Sequence, residues 1–375
     1  MPMIVDPDVF GPYPHPAPGY DFHERTVSRH LVHRASVSEV LITGWQATGL
    51  YDFLLGAQWP RLHGFYRLPG DRHHDPLLLA ETIRQAGLLI GHIGFGVPRG
   101  HHFAMDDLSY ALGPAGLDGL AVAGEPTSLM LRVSCEDVRM PHGRLGSLRV
   151  HVEVERAGCP VGRGSAQLRV ISPTSYARLR DAGRRAAVPG PPGAPTAPEL
   201  VGRELAADVV LSPSLLPGSW LLRTDPGHPV LFDRALDHVP GMLVLEAARQ
   251  AAQRLRHPEP VVPVELVSSF SSYIELDRPC LVRAVPEDGQ DGGGPEGGGP
   301  GGVRRPGPDG GGSAHRPAAV RVLLVQDGRT AAECRLLTGP VAGPVSESAT
   351  GRLGQARREA AFGDCPAGPG LPLAS

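Results

Sequence analysis

The sequence predicts an α+β protein made of two similar halves, each with an antiparallel sheet around one strongly apolar helix. Two stretches, "LLLAETIRQAG" at 77–87 and "LVLEAARQAA" at 243–252, repeat Glu, Arg and Gln at the same spacing among apolar residues. Between them lies "AAVPGPPGAPTAPEL" (186–200), whose Pro, Ala and Gly content is typical of a linker. A chain of 375 residues is long enough for two domains, each with a core of its own.

The two halves align along much of their length. "VHRASVSEVLIT" (32–43) parallels "VGRELAADVVLS" (201–212), and the separation between corresponding residues stays between 164 and 169 positions. The matched pairs are Arg34 with Arg203, His63 with His228, His74 with His238, Glu81 with Glu246, Arg84 with Arg249 and Gln85 with Gln250. A collinear series at nearly constant separation indicates a duplicated domain.

The first half ends in strand-like segments. In "LGSLRVHVEVERAG" (145–158), Val150, Val152 and Val154 alternate with polar residues, which is the pattern of a sheet with one face in water. The helix before these segments is apolar on nearly all its faces, so the sheet must wrap around it. This arrangement is a hotdog fold. The duplication predicts two hotdog domains in tandem that share a continuous sheet and are related by a pseudo-twofold axis.

We divide the chain accordingly. The predicted segments are an N-terminal extension (1–25), a first hotdog repeat (26–183), a Pro/Ala/Gly linker (184–198), a second repeat (199–340) and a disordered tail (341–375). Within the second repeat, the Gly- and Pro-rich segment 286–317 is predicted to be a flexible insertion. Because strand-like residues flank it on both sides, we interpret it as an enlarged hairpin loop.

Composition and charge exclude several classes of protein. A net charge of −3 and a pI near 6.6 predict no general affinity for nucleic acid or anionic membranes. No signal peptide and no membrane-spanning run is visible, so we expect a cytoplasmic protein. Histidine doublets at 73–74 and 101–102 lack a third ligand at metal spacing, and the five cysteines form no CxxC pair. We therefore expect neither a metal nor another cofactor.

The repeated helix places a carboxylate, Glu81 or Glu246, among apolar neighbours. Burying an unpaired carboxylate is strongly unfavourable, so each glutamate must be paired or lie at the mouth of a cavity. Arg84 and Arg249 follow three residues later and can reach the glutamates across one helical turn. The duplication favours a functional role, although a partly solvated structural ion pair stays open as the alternative.

A second feature is the start of the second helix, in "HVPGMLVLEAARQAA" (238–252). Pro240 and Gly241 open this helix, where free backbone N–H groups and the positive end of the helix dipole can bind a carbonyl or an oxyanion. Glycine also lets a ligand approach the backbone closely. The alternative is that the Pro-Gly pair only starts a helix.

This helix resembles the central helix of hydroxyacyl-ACP dehydratases, in which a Pro-Gly start precedes a glutamate in an apolar helix. In that family the catalytic histidine lies upstream of the glutamate. The corresponding place here is Phe232, with His228 and His238 on either side. The resemblance therefore implies the fold and the carboxylate, but not the usual base for the elimination of water.

A more extensive resemblance covers positions 26–283. "VHRASVSEVLITGW", "AQWPRLHGFY", "HDPLLLAETIRQAG" and "HPVLFDRALDHVPGMLVLEAARQAA" resemble the AfsA-type family, the tandem hotdog proteins of A-factor (γ-butyrolactone) biosynthesis in actinomycetes. The resemblance implies transfer of a β-ketoacyl group from an acyl carrier protein to the hydroxyl of dihydroxyacetone phosphate, on the route to a butyrolactone signal. The insertion at 286–317 departs from the family pattern.

Such a transfer suggests roles for the residues noted above. A glutamate would be the base, with a pKa near neutrality, because burial raises and a nearby arginine lowers the pKa of a carboxyl group. Arginine suits the phosphate because its planar fork bonds bidentately. Two of the histidines, His63 and His228, could orient a substrate or only cap a loop. The candidates are Glu246, Glu81 and Gly241 for catalysis and Arg249, Arg84, His63, His228 and His238 for substrate binding.

Two other functions stay open at this point. A dehydratase or thioesterase on the same fold would convert a hydroxyacyl thioester to an enoyl product or a free acid without dihydroxyacetone phosphate. The other alternative is a non-enzymatic, butyrolactone-related regulator, which the duplicated Glu-Arg pairs disfavour. No helix-turn-helix with a basic face is visible, so a DNA-binding repressor is also disfavoured.

Overall fold

The first repeat supplies six strands and two helices. The computed structural model describes residues 20–180, 190–287 and 318–340. In the first repeat the elements are β1 (Ile42–Ala47), β2 (Asp52–Trp59), α1 (Leu77–Ile93), β3 (His102–Leu112), β4 (Thr127–Arg139), β5 (Ser147–Arg156), β6 (Cys159–Ile171) and α2 (Pro173–Leu179). The long helix α1 is the predicted apolar helix, and α2 follows the last strand.

The second repeat has the same six strands and long helix in the same order, except that its first two strands are shorter and that α2 has no counterpart among the described residues. They are β7 (Leu211–Pro213), β8 (Ser219–Leu222), α3 (Gly241–Arg256), β9 (Val261–Phe270), β10 (Cys280–Glu287), β11 (Ala318–Gln326) and β12 (Arg329–Pro340). Each strand of this repeat therefore corresponds to the strand six places earlier in the first repeat.

All twelve strands of the described residues form one antiparallel sheet, in the order β1-β2-β4-β5-β6-β3-β9-β12-β11-β10-β8-β7. Read from either end, the order is the same once each strand is replaced by its counterpart, which is the signature of a pseudo-twofold axis. The axis passes between β3 and β9, which pair from Asp107 opposite Ser269 to Ala111 opposite Glu265. The prediction of a tandem double hotdog with a continuous sheet is confirmed.

Each sheet half wraps its helix closely. In α1, Arg84 is the one residue of this fully described helix that is not buried. Gly87 allows the close approach, since a Cβ atom added there would lie 2.8 Å from Leu168 Cδ1 on β6. Helix α3 is buried from Met242 to Gln253 and becomes exposed only at its C-terminal end. Such burial of apolar side chains is the main stabilising contribution to a core of this kind.

Several predicted segments fall wholly or partly outside the described residues: most of the extension 1–25, the first part of the linker, the insertion from 288 to 317 and the tail 341–375. The linker residues from 190 onward run without regular structure into a short 3₁₀ turn at Pro198–Val201. Within the described part of the chain, no helix is both long and apolar enough to cross a membrane.

The strands on either side of the insertion, β10 and β11, pair antiparallel from Cys280 opposite Gln326 to Glu287 opposite Ala319. Their paired ends already lie together, so the connection has only to close a hairpin. We expect deletion of most of residues 288–315 to leave one cooperative unfolding transition, because the entropy of loop closure varies only logarithmically with length. Chemical denaturation followed by circular dichroism measures this, and a Gly-Ser replacement of equal length is the control. Loss of cooperativity in the deletion variant alone would contradict the hairpin interpretation.

Candidate active site

The glutamate of the first helix is enclosed by two arginines and a glutamine. Glu81 is 1% exposed. Arg34 donates from Nε to its Oε1 at 3.0 Å, and Arg84 donates from Nε to Oε2 at 2.8 Å and from Nη2 to Oε1 at 2.7 Å. Gln85 Nε2 also donates to Oε1, at 2.7 Å. Both carboxylate oxygens therefore have charged hydrogen-bond partners.

The second helix repeats this arrangement around Glu246, which is fully buried. Arg203 donates from Nε to Oε1 at 2.8 Å and from Nη2 to Oε2 at 2.6 Å. Arg249 donates from Nε to Oε2 at 2.9 Å and from Nη2 to Oε1 at 2.8 Å, and Gln250 donates to Oε1. The two clusters are thus equivalent under the pseudo-twofold axis.

These contacts keep both glutamates ionised. Burial by itself raises the pKa of Glu81, but the charges of Arg34 and Arg84 outweigh it and lower the pKa to about 2. The pKa of Glu246 is lowered to about 2 in the same way, since burial is outweighed by the charges of Arg203 and Arg249. The expectation of a glutamate with a pKa near neutrality is therefore wrong. The sequence showed one arginine beside each glutamate, whereas the fold supplies two.

The second arginine of each cluster also joins the two repeats. Arg34 Nη1 donates to the carbonyl oxygen of Val230 at 3.0 Å, and Arg203 Nη1 donates to that of Phe65 at 2.8 Å. Each guanidinium thus binds the glutamate of its own repeat and a loop of the other. The sequence alignment had matched these two arginines but gave them no role.

The glutamine of the repeated motif fixes the segment before the first strand of each repeat. The side chain of Gln85 accepts from Leu41 N at 2.9 Å and donates to Glu39 O at 2.8 Å. Gln250 makes the equivalent pair of bonds, at 3.0 and 2.8 Å, with the segment before β7. The duplicated Glu, Arg and Gln therefore form a polar framework inside each apolar core.

His63 and His228 cap loops. The Nδ1 atom of each ring accepts from the backbone N–H groups two and three residues further along, at 3.0 and 3.1 Å for His63 and at 3.2 and 3.0 Å for His228. Each Nε2 atom lies 3.5 Å from an acidic side chain, Glu39 or Asp208. Both rings are buried. Of the two roles that the sequence left open, these contacts are those of a loop cap.

A cavity of about 870 Å³ lies between the repeats. Its first side comes from the start of α3 and the loop before it, including His238 and Gly241. Its opposite side comes from the first repeat and includes Arg84, the one partly exposed residue of α1. Apolar side chains line much of the remainder: Leu88, Phe103, Met105, Leu168, Met242, Val244 and Phe270. The cavity thus combines an apolar surface with a few polar groups, as small-molecule sites generally do.

His238 is held by a carboxylate at the edge of this cavity. Its Nδ1 atom lies 2.6 Å from Asp237 Oδ1. An ionised carboxylate can only accept, so Nδ1 carries the proton and Nε2 has the free electron pair of a base. The bonds and the nearby cationic charges around Asp237 outweigh its burial and hold its pKa below the usual range. Among the described residues, His238 Nε2 has no hydrogen-bond partner.

Two side chains that the sequence did not single out fix Asp237. Tyr176 on α2 donates from its hydroxyl to Asp237 Oδ1 at 2.7 Å. Arg180, which follows α2, donates to Asp237 Oδ2 at 3.2 Å and forms two bonds with Glu275, at 2.6 and 2.8 Å. Helix α2 belongs to the first repeat and Asp237 to the second, so no spacing along the chain could have shown this group.

Two further histidines, His33 and His92, contact each other, and His33 lines the same cavity. His33 Nε2 lies 2.9 Å from His92 Nε2, and His92 Nδ1 lies 2.7 Å from the carbonyl oxygen of Val97. The carbonyl requires a proton on His92 Nδ1, so in the neutral ring His92 Nε2 is an acceptor. His33 therefore donates from its Nε2 atom, and the Nδ1 atom of His33 carries no proton. Burial, followed by the charge of Arg234, lowers the pKa of His33 to about 2. His33 is therefore uncharged at neutral pH.

The start of α3 presents backbone donors to the cavity. Pro240 precedes the helix in an extended conformation and makes no side-chain cap. Its carbonyl accepts from Leu243 and Val244, whereas the N–H groups of Gly241 and Met242 donate to no described residue. At the start of α1 the equivalent donor is occupied, because Leu77 N donates to Asp75 Oδ1 at 2.9 Å.

Comparison with known proteins agrees with this architecture. The sequence profile of the A-factor biosynthesis hotdog domain, AfsA, matches residues 19–172 and 188–299. The chain belongs to the AfsA family. The "2-oxo-3-(phosphooxy)propyl 3-oxoalkanoate synthase" of Streptomyces virginiae is 45% identical over 270 residues, which cover 72% of this chain and 90% of that protein. The protein of the same name from Streptomyces griseus is 40% identical over 265 residues, covering 71% and 87%.

Solved structures are more distant from this AfsA-family chain. The "12:0-ACP thioesterase from Umbellularia californica" has a TM-score of 0.45 and 9% identity, covering 78% of this chain and 95% of that one. At that score the likeness supports no argument about the site, which therefore depends on the chain's own geometry.

The fold brings three of the candidate residues to the cavity wall and leaves the others inside the protein. His238, Gly241 and Arg84 line the cavity, whereas Glu246, Glu81, Arg249, His63 and His228 are absent from the part of its wall that the structure describes. No group of three or more His, Cys, Asp or Glu side chains within the described ranges is placed to hold a metal ion.

Proposed function

We propose that this chain is an acyltransferase that moves a β-ketoacyl group from the thioester of an acyl carrier protein to the hydroxyl of dihydroxyacetone phosphate, in the synthesis of a γ-butyrolactone signal. The name of its relatives describes that product, since the 2-oxo-3-(phosphooxy)propyl group is dihydroxyacetone phosphate joined through its hydroxyl oxygen. The observation that supports it best is the inter-repeat cavity, which combines His238, the free N–H groups of α3 and Arg84. With an acyl carrier protein as donor, we expect the reaction in the cytoplasm.

His238 is the base in this proposal. Its Nε2 atom takes the proton of the acceptor hydroxyl as the oxygen attacks the thioester carbonyl carbon. Asp237 holds the ring in the required tautomer and stabilises the imidazolium that forms, as the acidic member of a catalytic triad does. Tyr176 and Arg180 are positioning residues, because they hold the Asp237 carboxylate.

The start of α3 stabilises the intermediate. Attack on the carbonyl produces a tetrahedral oxyanion, which receives hydrogen bonds from the N–H groups of Gly241 and Met242 and benefits from the positive end of the helix dipole. The C–S bond then breaks, and the thiolate of the carrier takes the proton from His238. The products are the ester and the free thiol, so atoms and charge balance.

The glutamates act through the arginines. Glu81 holds the guanidinium of Arg84 in a fixed orientation toward the cavity through two bonds, at 2.8 and 2.7 Å. Glu246 holds Arg203 and Arg249 inside the core, away from the cavity. We therefore assign Glu81 as a positioning residue of the site and Glu246 as a structural residue.

The reaction is tested with the purified full-length chain, a β-ketoacyl acyl carrier protein and dihydroxyacetone phosphate. We expect mass spectrometry to show the phosphorylated β-ketoester and the free carrier thiol in equal amounts. Free β-keto acid with no ester would indicate a thioesterase, because the same His238 and Asp237 pair could activate water. Turnover of a hydroxyacyl thioester to an enoyl product would indicate a dehydratase. No turnover of any thioester would contradict an enzymatic function.

A further inference from the structure

The pseudo-twofold axis relates the cavity to a place in the other half that is already filled. Asp75 is fully buried there. Its Oδ1 accepts from Leu77 N at the start of α1, and its Oδ2 lies 3.4 Å from Arg203 Nη2 and 3.6 Å from Arg249 Nε. Burial raises the pKa of Asp75 against the opposing effect of both arginines. In either protonation state its oxygens occupy the space between a helix start and two guanidinium groups.

The residue that corresponds to Asp75 at the cavity is not acidic. His74 matches His238 and Pro76 matches Pro240, so the counterpart of Asp75 is Val239. Arg84 and Arg34, the counterparts of Arg249 and Arg203, share a single carboxylate, that of Glu81. Both arginines line the cavity, and the Nη1 donors of Arg84 bond to no described residue.

A third guanidinium, that of Arg234, adds to this positive end of the cavity. Arg234 forms no ion pair or hydrogen bond with any described residue, and its pKa is lowered to about 10, first by burial and then by the like charges of Arg84 and Arg34. The neighbouring carboxylate of Asp233 accepts from the backbone N–H groups of Ala35 and Ser36. Positive charge is thus concentrated where the other half has its own acidic side chain.

We propose that Arg84 and Arg234 bind the phosphate of the acyl acceptor, at the cavity position whose counterpart Asp75 fills in the other half. The guanidinium of Arg34 is held by Glu81 and the Val230 carbonyl and adds positive charge. A phosphate dianion relieves the repulsion among the guanidinium groups and accepts in the bidentate geometry that arginine favours. This inference depends on the proposed function for the identity of the acceptor. It also gives the molecule one working site and removes Arg249 from the phosphate contacts.

Arg234 offers the clearest test, because part of the residue is accessible to solvent and its side chain bonds to no described residue, so we expect the variant to fold. We expect Arg234→Gln to raise the KM for dihydroxyacetone phosphate about 10- to 100-fold, the loss of one charge-assisted contact. The KM for the acyl carrier protein thioester, and the rate with unphosphorylated dihydroxyacetone, should stay unchanged. Arg254→Gln, near the C-terminal end of α3, is the control and should leave all these values as they are.

Arg84→Lys provides a second test, since lysine keeps the charge but loses the fork. The acceptor KM should rise while the donor KM stays constant. In the matched variant Arg249→Lys, the ratio of the two KM values should not change, even though its melting temperature falls. Inorganic phosphate binding, measured by isothermal titration calorimetry without any thioester, should weaken in Arg234→Gln and Arg84→Lys but not in Arg249→Lys.

These measurements separate the inference from the proposed function. If the ester forms but Arg234→Gln leaves the acceptor KM unchanged, the phosphate site is wrong and the acyltransferase assignment stands. If the donor KM rises instead, the guanidinium groups bind the phosphodiester of the carrier's pantetheine arm, which also overturns the inference. If no ester forms but phosphate still binds through Arg84 and Arg234, the proposed function fails and the anion site stands.

Discussion

Replacing His238 with glutamine should lower kcat for ester formation by about 10²- to 10⁴-fold, the usual contribution of a general base. Glutamine has similar size and can still bond to Asp237, so the melting temperature should change little. Asp237→Asn should lower kcat comparably, because the amide no longer requires a proton on His238 Nδ1 and the tautomer with the wrong free nitrogen becomes available. Single-turnover kinetics with a β-ketoacyl carrier protein measure both effects on the chemical step.

His74 supplies the matched control for His238. It is the counterpart of His238 in the alignment, but it is buried against Trp59. Burial, followed by the charge of Arg156, lowers the pKa of His74 to about 4, so it is uncharged at neutral pH. The folded fraction of the His74→Gln variant should therefore have the kcat of the parent protein. Equal losses of kcat in His74→Gln and His238→Gln would rule out a base specific to the cavity.

Replacing Glu246 with glutamine should lower the free energy of unfolding by about 3–5 kcal/mol, because it leaves two buried guanidinium groups without their carboxylate. The sequence alone indicated Glu246 as a candidate base, so that its replacement would affect activity. Urea denaturation at neutral pH measures the change. Glu333→Gln is the control: that glutamate pairs with Arg321 on the exposed face of the sheet, where an ion pair contributes little.

The same carboxylate predicts how stability depends on pH. The folded pKa of Glu246 is about 2, against 4.5 for the free side chain. A lowered folded pKa contributes stability that is present above the unfolded value and is lost as pH falls from about 4.5 towards 2. The Glu246→Gln variant should therefore lose less stability than the parent over this window. A variant that kept the parent stability but lost acyl transfer would restore Glu246 as the base.

The sequence was sufficient to predict the architecture. A hydrophobic helix in each half, alternating strands and a nearly constant separation between matched residues describe local and repeated features, which are visible along one chain. The signal for the start of α3 was also local in the sequence, and Pro240 and Gly241 do open that helix. His238, three residues before the first residue of the helix, was predicted to bind substrate and does line the cavity.

The partners of the charged residues were decided only by the tertiary structure. The sequence alone placed Arg84 beside Glu81, but the second arginine, Arg34, comes from 47 residues earlier in the chain. That extra charge lowers the pKa of the glutamate instead of leaving it near neutrality. A pKa is set by all charges within a few ångströms, and spacing along one helix shows only those on its own face.

The tertiary structure also decided which of the two similar halves has an open helix start. The sequence by itself determined the duplicated hotdog fold and the residue types available for chemistry. The tertiary structure alone decided that Asp75 fills one helix start, whereas the start at Gly241 faces a cavity bordered by Arg84. The physical reason is that the cavity lies where the two repeats meet. Its walls are side chains brought together by the pairing of β3 with β9, more than 150 residues apart in sequence.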